Sequence, residues 1–302
     1  MPVNWFTMAL LSAALLGAVN IFDSHLITRR MPSLRAYMLP ISLLVLCLGA
    51  IFLFVFPMPS GLGTGTLVLA ITSSIIRALS AYLLLVALQS EEVSRVVPIT
   101  STFPIFVALA AVPLLGETLT GLKWFAIVIV VAGAVLISVE ERPSRKLVRL
   151  SPAFLMLIGS SLLMAGANVT SKYVLDQLSF WNLYAITVLC MGAMFFLISA
   201  RPSVLRELTI MPRKTGSIAL VIANNLMVVI SMVAFFWSLE YGPVSLVSTI
   251  TSSRPIFVFG YAFLLSRFSP SFLEWQPGRK MLALRLSAIT MIFGGIAIIY
   301  LP

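Results

Sequence analysis

Apolar residues along the chain fall into about ten long runs, separated by short segments with proline, glycine, asparagine or charged side chains. Each run is close to the ~20 residues that an α-helix needs to cross the hydrocarbon of a bilayer. The pattern therefore predicts ten transmembrane helices. The predicted spans are residues 4–27, 36–57, 64–89, 93–115, 121–139, 152–175, 180–200, 215–239, 244–266 and 282–301.

Composition supports a chain that is dissolved in lipid rather than in water. Hydrophobic residues make up 60% of the sequence, charged residues 10%, and the mean hydropathy is +1.07. A water-soluble domain cannot bury that much apolar surface in one core. We therefore expect an all-α integral membrane protein.

The net charge of +10 reflects membrane topology rather than nucleic-acid binding. Sixteen of the 20 Lys and Arg residues follow odd-numbered predicted spans, and only Lys123 and Lys172 lie on the opposite side. Cytoplasmic loops of membrane proteins carry an excess of Lys and Arg. The distribution predicts a multi-pass protein of the plasma (inner) membrane with both termini outside.

The second half of the sequence nearly repeats the first. Residues 88–107 return as residues 239–258, a shift of 151, with eleven of twenty positions identical. An earlier stretch, 15–21, aligns with 163–169 at a shift of 148, and 132–137 aligns with 293–298 at a shift of 161. Internal repeats in an apolar chain are typical of transporters.

The repeat predicts a domain organisation. Residues 1–139 would form a first five-helix repeat, 140–151 a polar cytoplasmic loop, and 152–302 a second five-helix repeat. Because five is odd, the second repeat would enter the membrane from the opposite side. The two repeats would then be inverted and related by an axis in the membrane plane.

Two stretches carry a resemblance to a known family. The run Gly-Glu-Thr-Leu-Thr-Gly-Leu-Lys-Trp at 116–124 leads into an apolar run at 130–137, and both repeats have a proline-centred fourth helix. The chain resembles the drug/metabolite transporter superfamily, EamA type, over its whole length. The second repeat departs from the pattern, with Arg267-Phe268-Ser269-Pro270 in place of the glutamate. Members of the family more usually keep their termini in the cytoplasm.

Two arginines lie inside predicted spans, Arg77 in the third and Arg254 in the ninth. A charged side chain at the bilayer centre costs at least ~2.5–3.5 kcal/mol, so it normally faces a cavity or a partner. The two arginines are the best candidates for substrate binding. Alternatively, each bonds backbone carbonyls at a helix break, and for Arg254 such a break is expected at Pro255.

Uncharged polar residues in the spans are further candidates for substrate contact. Their alternative role is ordinary hydrogen bonding between helices. They are Ser73 and Ser74 in the third span, Asn224 and Asn225 at the equivalent place in the eighth, and Asn20 and Asn168 in the first and sixth.

Serines and threonines precede a proline in the fourth and ninth spans, at Ser101 with Pro104 and at Ser252 with Pro255. Proline removes a backbone donor, and nearby hydroxyls can satisfy the freed carbonyls. The sequence predicts kinks there that could act as flexing points of alternating access.

Acidic residues fall near the ends of the predicted spans, including Asp23 and Glu117. Glu117 is predicted to cap the helix that follows it. With no carboxylate at mid-membrane, the sequence argues against a proton-driven pump for cations. Two central arginines favour a substrate with a negative or zwitterionic group.

The function predicted from these features is secondary transport of a small metabolite by alternating access, as a facilitator, exchanger or exporter. One alternative is translocation of a lipid-linked phosphate, and another is a non-transporting membrane scaffold. No His/Asp/Glu/Cys cluster indicates an enzyme, a metal or a cofactor. The expected partners are a small-molecule substrate and the lipid bilayer, with the protein a monomer or a homodimer.

Overall fold

The computed structural model describes residues 4–90, 96, 99–137, 152–211, 214–268 and 279–300, which form helices without strands. The predicted loop 140–151 lies outside these residues. The helices of the first half are α1 (Trp5–His25), which continues as a π-helical segment (Leu26–Arg30), α2 (Leu34–Val55), α3 (Thr64–Ser90), α4 (Phe103–Leu115) and α5 (Gly121–Ile137). Those of the second half are α6 (Pro152–Leu175), α7 (Phe180–Ser199), α8 (Pro202–Ile210), α9 (Lys214–Tyr241), α10 (Val244–Thr251), α11 (Arg254–Phe268) and α12 (Arg279–Tyr300).

Seven helices in the described part of the chain are long and apolar enough to cross a membrane, so the protein is a multi-pass membrane protein. They are α1 with its π-helical extension, α2, α3, α6, α7, α9 and α12. Helices α4 and α5 are apolar but shorter, and the predicted ninth span is divided into α10 and α11. The total of ten spans therefore stays a prediction.

Helix α8 lies where the sequence predicts a loop. Its side chains Val204 and Leu208 are buried, and the Glu207 carboxylate accepts a hydrogen bond of 2.6 Å from Ser33 Oγ at the start of α2. A nine-residue amphipathic helix carries no signal in a search for spans of about 20 apolar residues. The helix is recognised only in the structure, where it packs against α2.

Two serine pairs mark the internal symmetry. Ser12 of α1 and Ser231 of α9 have their hydroxyl oxygens 3.1 Å apart, and so do Ser160 of α6 and Ser80 of α3. Residue 160 is 12 shifted by 148, and 231 is 80 shifted by 151, so the pairs are equivalent under the sequence repeat. Both contacts join the two halves, and the α1–α9 contact is equivalent to the α6–α3 contact under the repeat.

Glycines at the contact between α5 and α12 show the same symmetry, because each helix has a glycine that faces the backbone of the other. A Cβ on Gly133 of α5 would lie 2.9 Å from the Ala288 carbonyl of α12, and one on Gly295 of α12 would lie 3.0 Å from the Ala126 carbonyl of α5. Small residues let helix backbones approach in membranes, where close packing drives association. Helices α5 and α12 are equivalent elements of the two repeats.

Helical structure is interrupted at equivalent places in the two halves. Ser101 and Thr102 form a turn just before α4, and Ser252 and Ser253 form a turn between α10 and α11. Hydroxyls at both turns bond nearby carbonyls, Thr102 Oγ1 to Ile99 O at 2.7 Å and Ser252 Oγ to Thr249 O at 2.7 Å. Pro104 and Pro255 follow as the second residues of α4 and α11.

Candidate functional site

Arg77 is a buried cation in the middle of α3. Its guanidinium lies over the rings of Phe235 and Phe236, 5.3 and 5.0 Å from their centroids. Nη2 donates to Ser171 Oγ at 3.3 Å and Nη1 contacts Met164 Sδ at 3.5 Å. Nε is buried and has no hydrogen-bond partner within the described residues. The aromatic faces attract the charge, but part of its hydrogen-bonding capacity is unused.

Asn168 lies one turn before Ser171 on α6. Its side chain has a buried acceptor without a hydrogen-bond partner among the described residues, whereas Arg77 has a buried donor without one. Its Nδ2 donates to Ser248 Oγ of α10 at 3.1 Å, while its Oδ1 is buried and lacks a partner in the described part of the chain. Residues three apart share one face of a helix. An unsatisfied donor on Arg77 and an unsatisfied acceptor on Asn168 thus belong to the same region.

A cavity of about 60 Å³ lies beside this region, between helices of the two halves. Asn20 and Arg254 line it, so the structure brings two of the predicted site residues together. The Nε of Arg254 donates to the Thr251 carbonyl at 2.9 Å, which is the helix-break contact expected next to Pro255. Arg254 therefore satisfies a backbone carbonyl and also lines the cavity.

Met164 contacts both Arg77 and this cavity. The methionine side chain lines the cavity wall and contacts the Arg77 guanidinium at the same time. Methionine is unbranched and adapts its shape easily. Met164 therefore links the Arg77 guanidinium to the wall of the cavity.

A larger cleft of about 520 Å³ lies further along α6, lined by Glu117, Lys123 and Lys172 among others. Met164 of the first cavity and Lys172 of the cleft are eight residues apart on α6, which corresponds to about 12 Å. Between them lie Asn168 and Ser171 with their partners Ser248 and Arg77. We name this layer of four residues the central barrier.

Several predicted site residues lie away from both cavities. Ser73 Oγ donates to the Ala70 carbonyl at 2.9 Å, and Ser74 Oγ pairs with Thr187 Oγ1 of α7 at 3.1 Å. Both serines are buried and act in contacts within and between helices. Asn225 is buried as well, and its Nδ2 has no hydrogen-bond partner in the part of the chain that the structure describes.

Asn224, a candidate for substrate contact, bonds an acidic residue instead of lining either cavity. Its Nδ2 donates to Asp23 Oδ1 at 2.6 Å, and Tyr37 Oη donates to the same oxygen at 2.5 Å. Asp23 lies two residues before the end of α1, and helical structure continues beyond it through the π-helical segment to Arg30. Asn224 is ten residues into α9, roughly 15 Å from its start.

Glu117 caps a different helix from the predicted one. Its carboxylate accepts hydrogen bonds from the backbone N–H groups of Val244, at 2.5 Å, and Ser245, at 3.3 Å, at the start of α10. Ser245 Oγ also donates to it, at 2.5 Å. The prediction of a cap on α5 is therefore wrong, because the orphan N–H groups it satisfies belong to the second half.

Comparison with known proteins adds a family and a fold. The model of the EamA-like transporter family matches residues 3–139 and again residues 151–301. No match was found among curated protein sequences. A solved structure described only as the crystal structure of a protein shares 15% identity, with a TM-score of 0.71 over 98% of this chain and 95% of its own. That likeness shows a shared fold alone.

Proposed function

Since the chain belongs to the EamA-like transporter family and is a membrane transporter, we propose that it carries a small anionic or zwitterionic metabolite across the central barrier. The observation that carries this proposal is Arg77. It is a buried cation with an unused N–H, and no described carboxylate forms an ion pair with it.

The guanidinium of Arg77 in the central barrier favours a substrate with a negative charge. A guanidinium binds carboxylates and phosphates through directed N–H donors, and such charge-assisted bonds are roughly twice as strong as neutral ones. Inside a membrane the attraction is stronger than in water because the surroundings have a low dielectric constant. A substrate anion would therefore neutralise Arg77, and a donor on the same substrate would meet the open Oδ1 of Asn168.

The small cavity on one side of the barrier supports alternating access. The cavity at Asn20 and Arg254 holds only about 60 Å³. Pockets that bind small molecules usually measure about 300–1,000 Å³. Substrate entry from that side would then require the two halves to move apart. The turns at Ser101 and at Ser252, in equivalent helices, are the proposed flexing points.

The ten-span arrangement belongs to the same proposal. We count α4 together with the helical residues before its turn, α5, and the pair α10 and α11 as the three spans that complete the seven long ones. Each repeat then has five spans, with boundaries near 1–139 and 152–302, and opposite orientation. We place both termini outside and the protein in the plasma membrane, following the distribution of Lys and Arg.

Transport in sealed liposomes tests the proposal. Purified protein is reconstituted, and uptake is measured for amino acids, organic acids, phosphorylated sugars, a lipid-linked phosphate and hydrophobic cations. Arg77→Ala and Arg254→Ala are compared with Arg206→Ala, an exposed arginine of α8. We expect one anionic or zwitterionic class to be transported, at least tenfold less by Arg77→Ala and Arg254→Ala and normally by the control.

Three outcomes would contradict the proposal. Uptake of hydrophobic cations alone would exclude a cationic binding site. Equal transport by all three arginine variants would make Arg77 and Arg254 structural residues. Transport of the lipid-linked phosphate alone would replace the metabolite with a lipid as the substrate.

A further inference from the structure

The carboxyl group of Asp23 lies inside the helical bundle at the contact of α1, α2 and α9. It accepts hydrogen bonds from Tyr37 Oη and Asn224 Nδ2, and both donors converge on one oxygen, Oδ1. The two partners are almost fully buried, with 2% of each side chain exposed. Nothing in the transport of an anion by Arg77 requires an acid here.

Asp23 and Arg77 are too far apart to form one site. Asp23 contacts α9 at Asn224, and Arg77 contacts it at Phe235 and Phe236. Eleven residues of α-helix separate these contacts, which corresponds to roughly 16 Å. The carboxylate is therefore not the counterion of Arg77, and a small substrate cannot bridge the two.

The two halves of the internal repeat differ at the position of Asp23. Under the shift of 148, Asp23 corresponds to Ser171, the partner of Arg77, and under the shift of 151, Asn224 corresponds to Ser73. The α1–α9 contact therefore has an acid where the equivalent α6–α3 contact has an uncharged hydroxyl. Only one half provides a group that can gain and lose a proton at this position.

The cluster offers hydrogen bonds to Asp23 in both of its charge states. In the ionised state, Tyr37 and Asn224 both donate to Oδ1, as observed. Asn224 Oδ1 is buried and has no partner among the described residues. If a proton binds Asp23, the amide of Asn224 can turn so that its carbonyl oxygen accepts the new O–H. Asparagine provides both donors and an acceptor for this exchange.

We propose that Asp23, with Tyr37 and Asn224, is a proton-binding site that couples proton movement to transport. An ionisable side chain inside a membrane is costly and normally functional, and this one has no cation partner within the described residues. The coupling rests on the proposed function, whereas proton binding at Asp23 does not. The step is reversible addition of one proton from water to the carboxylate, without oxidation or a co-reactant.

Other titratable groups lie on the elements that pack around Asp23. Proton binding at Asp23 must be distinguished from proton binding at these groups. The helix of Asp23 continues with His25, Arg29 and Arg30, and Arg30 Nε donates to His25 Nε2 at 3.3 Å. Helix α2 contributes Tyr37, the exposed Arg35 and the exposed Cys47, and α10 has no titratable side chain. The titratable residues in the sequences of α9 and α11 are Lys214, Glu240, Tyr241, Arg254, Tyr261 and Arg267.

A local structural feature also fits a site that changes state. The chain follows π-helical geometry from Leu26 to Arg30, directly after α1 ends at His25. Single π turns in α-helices occur frequently at functional sites. Here the π turn directly follows the residues that present Asp23 to α9.

Infrared difference spectroscopy of the full-length protein in detergent tests proton binding without any substrate. Samples are titrated from neutral to mildly acidic pH, and the C=O stretch of a protonated carboxylic acid is recorded. We expect one band in this region that is lost in Asp23→Asn and kept in Asp176→Asn, an exposed aspartate that serves as the control. Tyr37→Phe should shift the band, because the tyrosine donates to the same carboxyl oxygen.

A band that remains in Asp23→Asn, or no pH-dependent band in the wild type, would overturn the proposal. If Asp23→Asn does not fold, an unshifted band in folded Tyr37→Phe would overturn it as well. In liposomes that transport an anion, Asp23→Asn should keep exchange of that anion and lose its accumulation along a pH gradient. Absence of any transport by the wild type would contradict the proposed function and leave the infrared result to decide on the proton site.

Discussion

Glu117 accepts a hydrogen bond of 2.5 Å from the backbone N–H of Val244, and this bond joins the two halves of the chain. The acceptor lies in the turn between α4 and α5, and the donor is the first residue of α10. Gly116, with a φ of 66°, ends α4 in the left-handed conformation that glycine adopts without strain and so sets the direction of the turn. Helix α10 contributes Ser248 to the central barrier. The first repeat, through Glu117, thus fixes the start of this helix.

Glu117→Gln is expected to destabilise the protein. A glutamine amide turns one acceptor into an N–H donor, which then faces the donors of Val244 or Ser245. Leaving a buried donor unsatisfied costs about 1–3 kcal/mol. The midpoint of thermal unfolding in detergent should fall, whereas Lys123→Gln, in the same cleft, should leave it unchanged. Equal midpoints for Glu117→Gln and the wild type would show that the cap contributes nothing to stability.

Arg77→Met separates a role in binding from a role in folding. Methionine keeps much of the apolar volume against Phe235 and Phe236 but removes a buried charge. Replacing buried ionic groups with apolar ones of similar volume is often neutral or stabilising by about 1–4 kcal/mol. We expect unchanged or higher thermal stability together with loss of anion uptake. A variant that unfolds, or one that transports normally, would assign Arg77 to structure instead.

Adjacent glycines of α12 provide a matched test of helix packing. A Cβ on Gly295 would lie 2.5 Å from Val130 Cγ2 and 3.0 Å from the Ala126 carbonyl, whereas one on Gly294 would have no neighbour within 4 Å. Gly295→Ala should cost about 1–3 kcal/mol through overpacking. Gly294→Ala should be neutral or slightly stabilising, because alanine is the better helix former. Unfolding midpoints that change equally in the two variants would contradict the α5–α12 contact.

The sequence predicts the apolar helices well, because a run of about 20 apolar residues has few alternatives to spanning a bilayer. It also predicts the position of the turns at Ser101 and Ser252, since proline removes a backbone donor. The partners of Asp23 and Glu117 could not be predicted. Asn224 and Val244 are 201 and 127 residues away in the chain, and a single sequence contains no signal for contacts that arise only when helices pack.

The contacts of the serine pairs could be predicted from the sequence in part. The shifts of 148 and 151 in the sequence are enough to make Ser12 equivalent to Ser160 and Ser80 equivalent to Ser231. That equivalence does not say that Ser12 contacts Ser231, at 3.1 Å. Once one contact is known, however, the repeat predicts the other between Ser80 and Ser160.

The most direct measurement of the central claim is protection of the cavity by substrate. Thr100 lines the same cavity as Arg254, so Thr100→Cys is made with Cys47 and Cys190 changed to serine, and alkylation by a water-soluble maleimide is timed. We predict that the transported anion slows labelling several-fold, that hydrophobic cations do not, and that labelling of Thr118→Cys in the opposite cleft changes differently as the halves move. Labelling of Thr100→Cys at the same rate with and without a saturating transported anion would contradict a substrate site at this cavity.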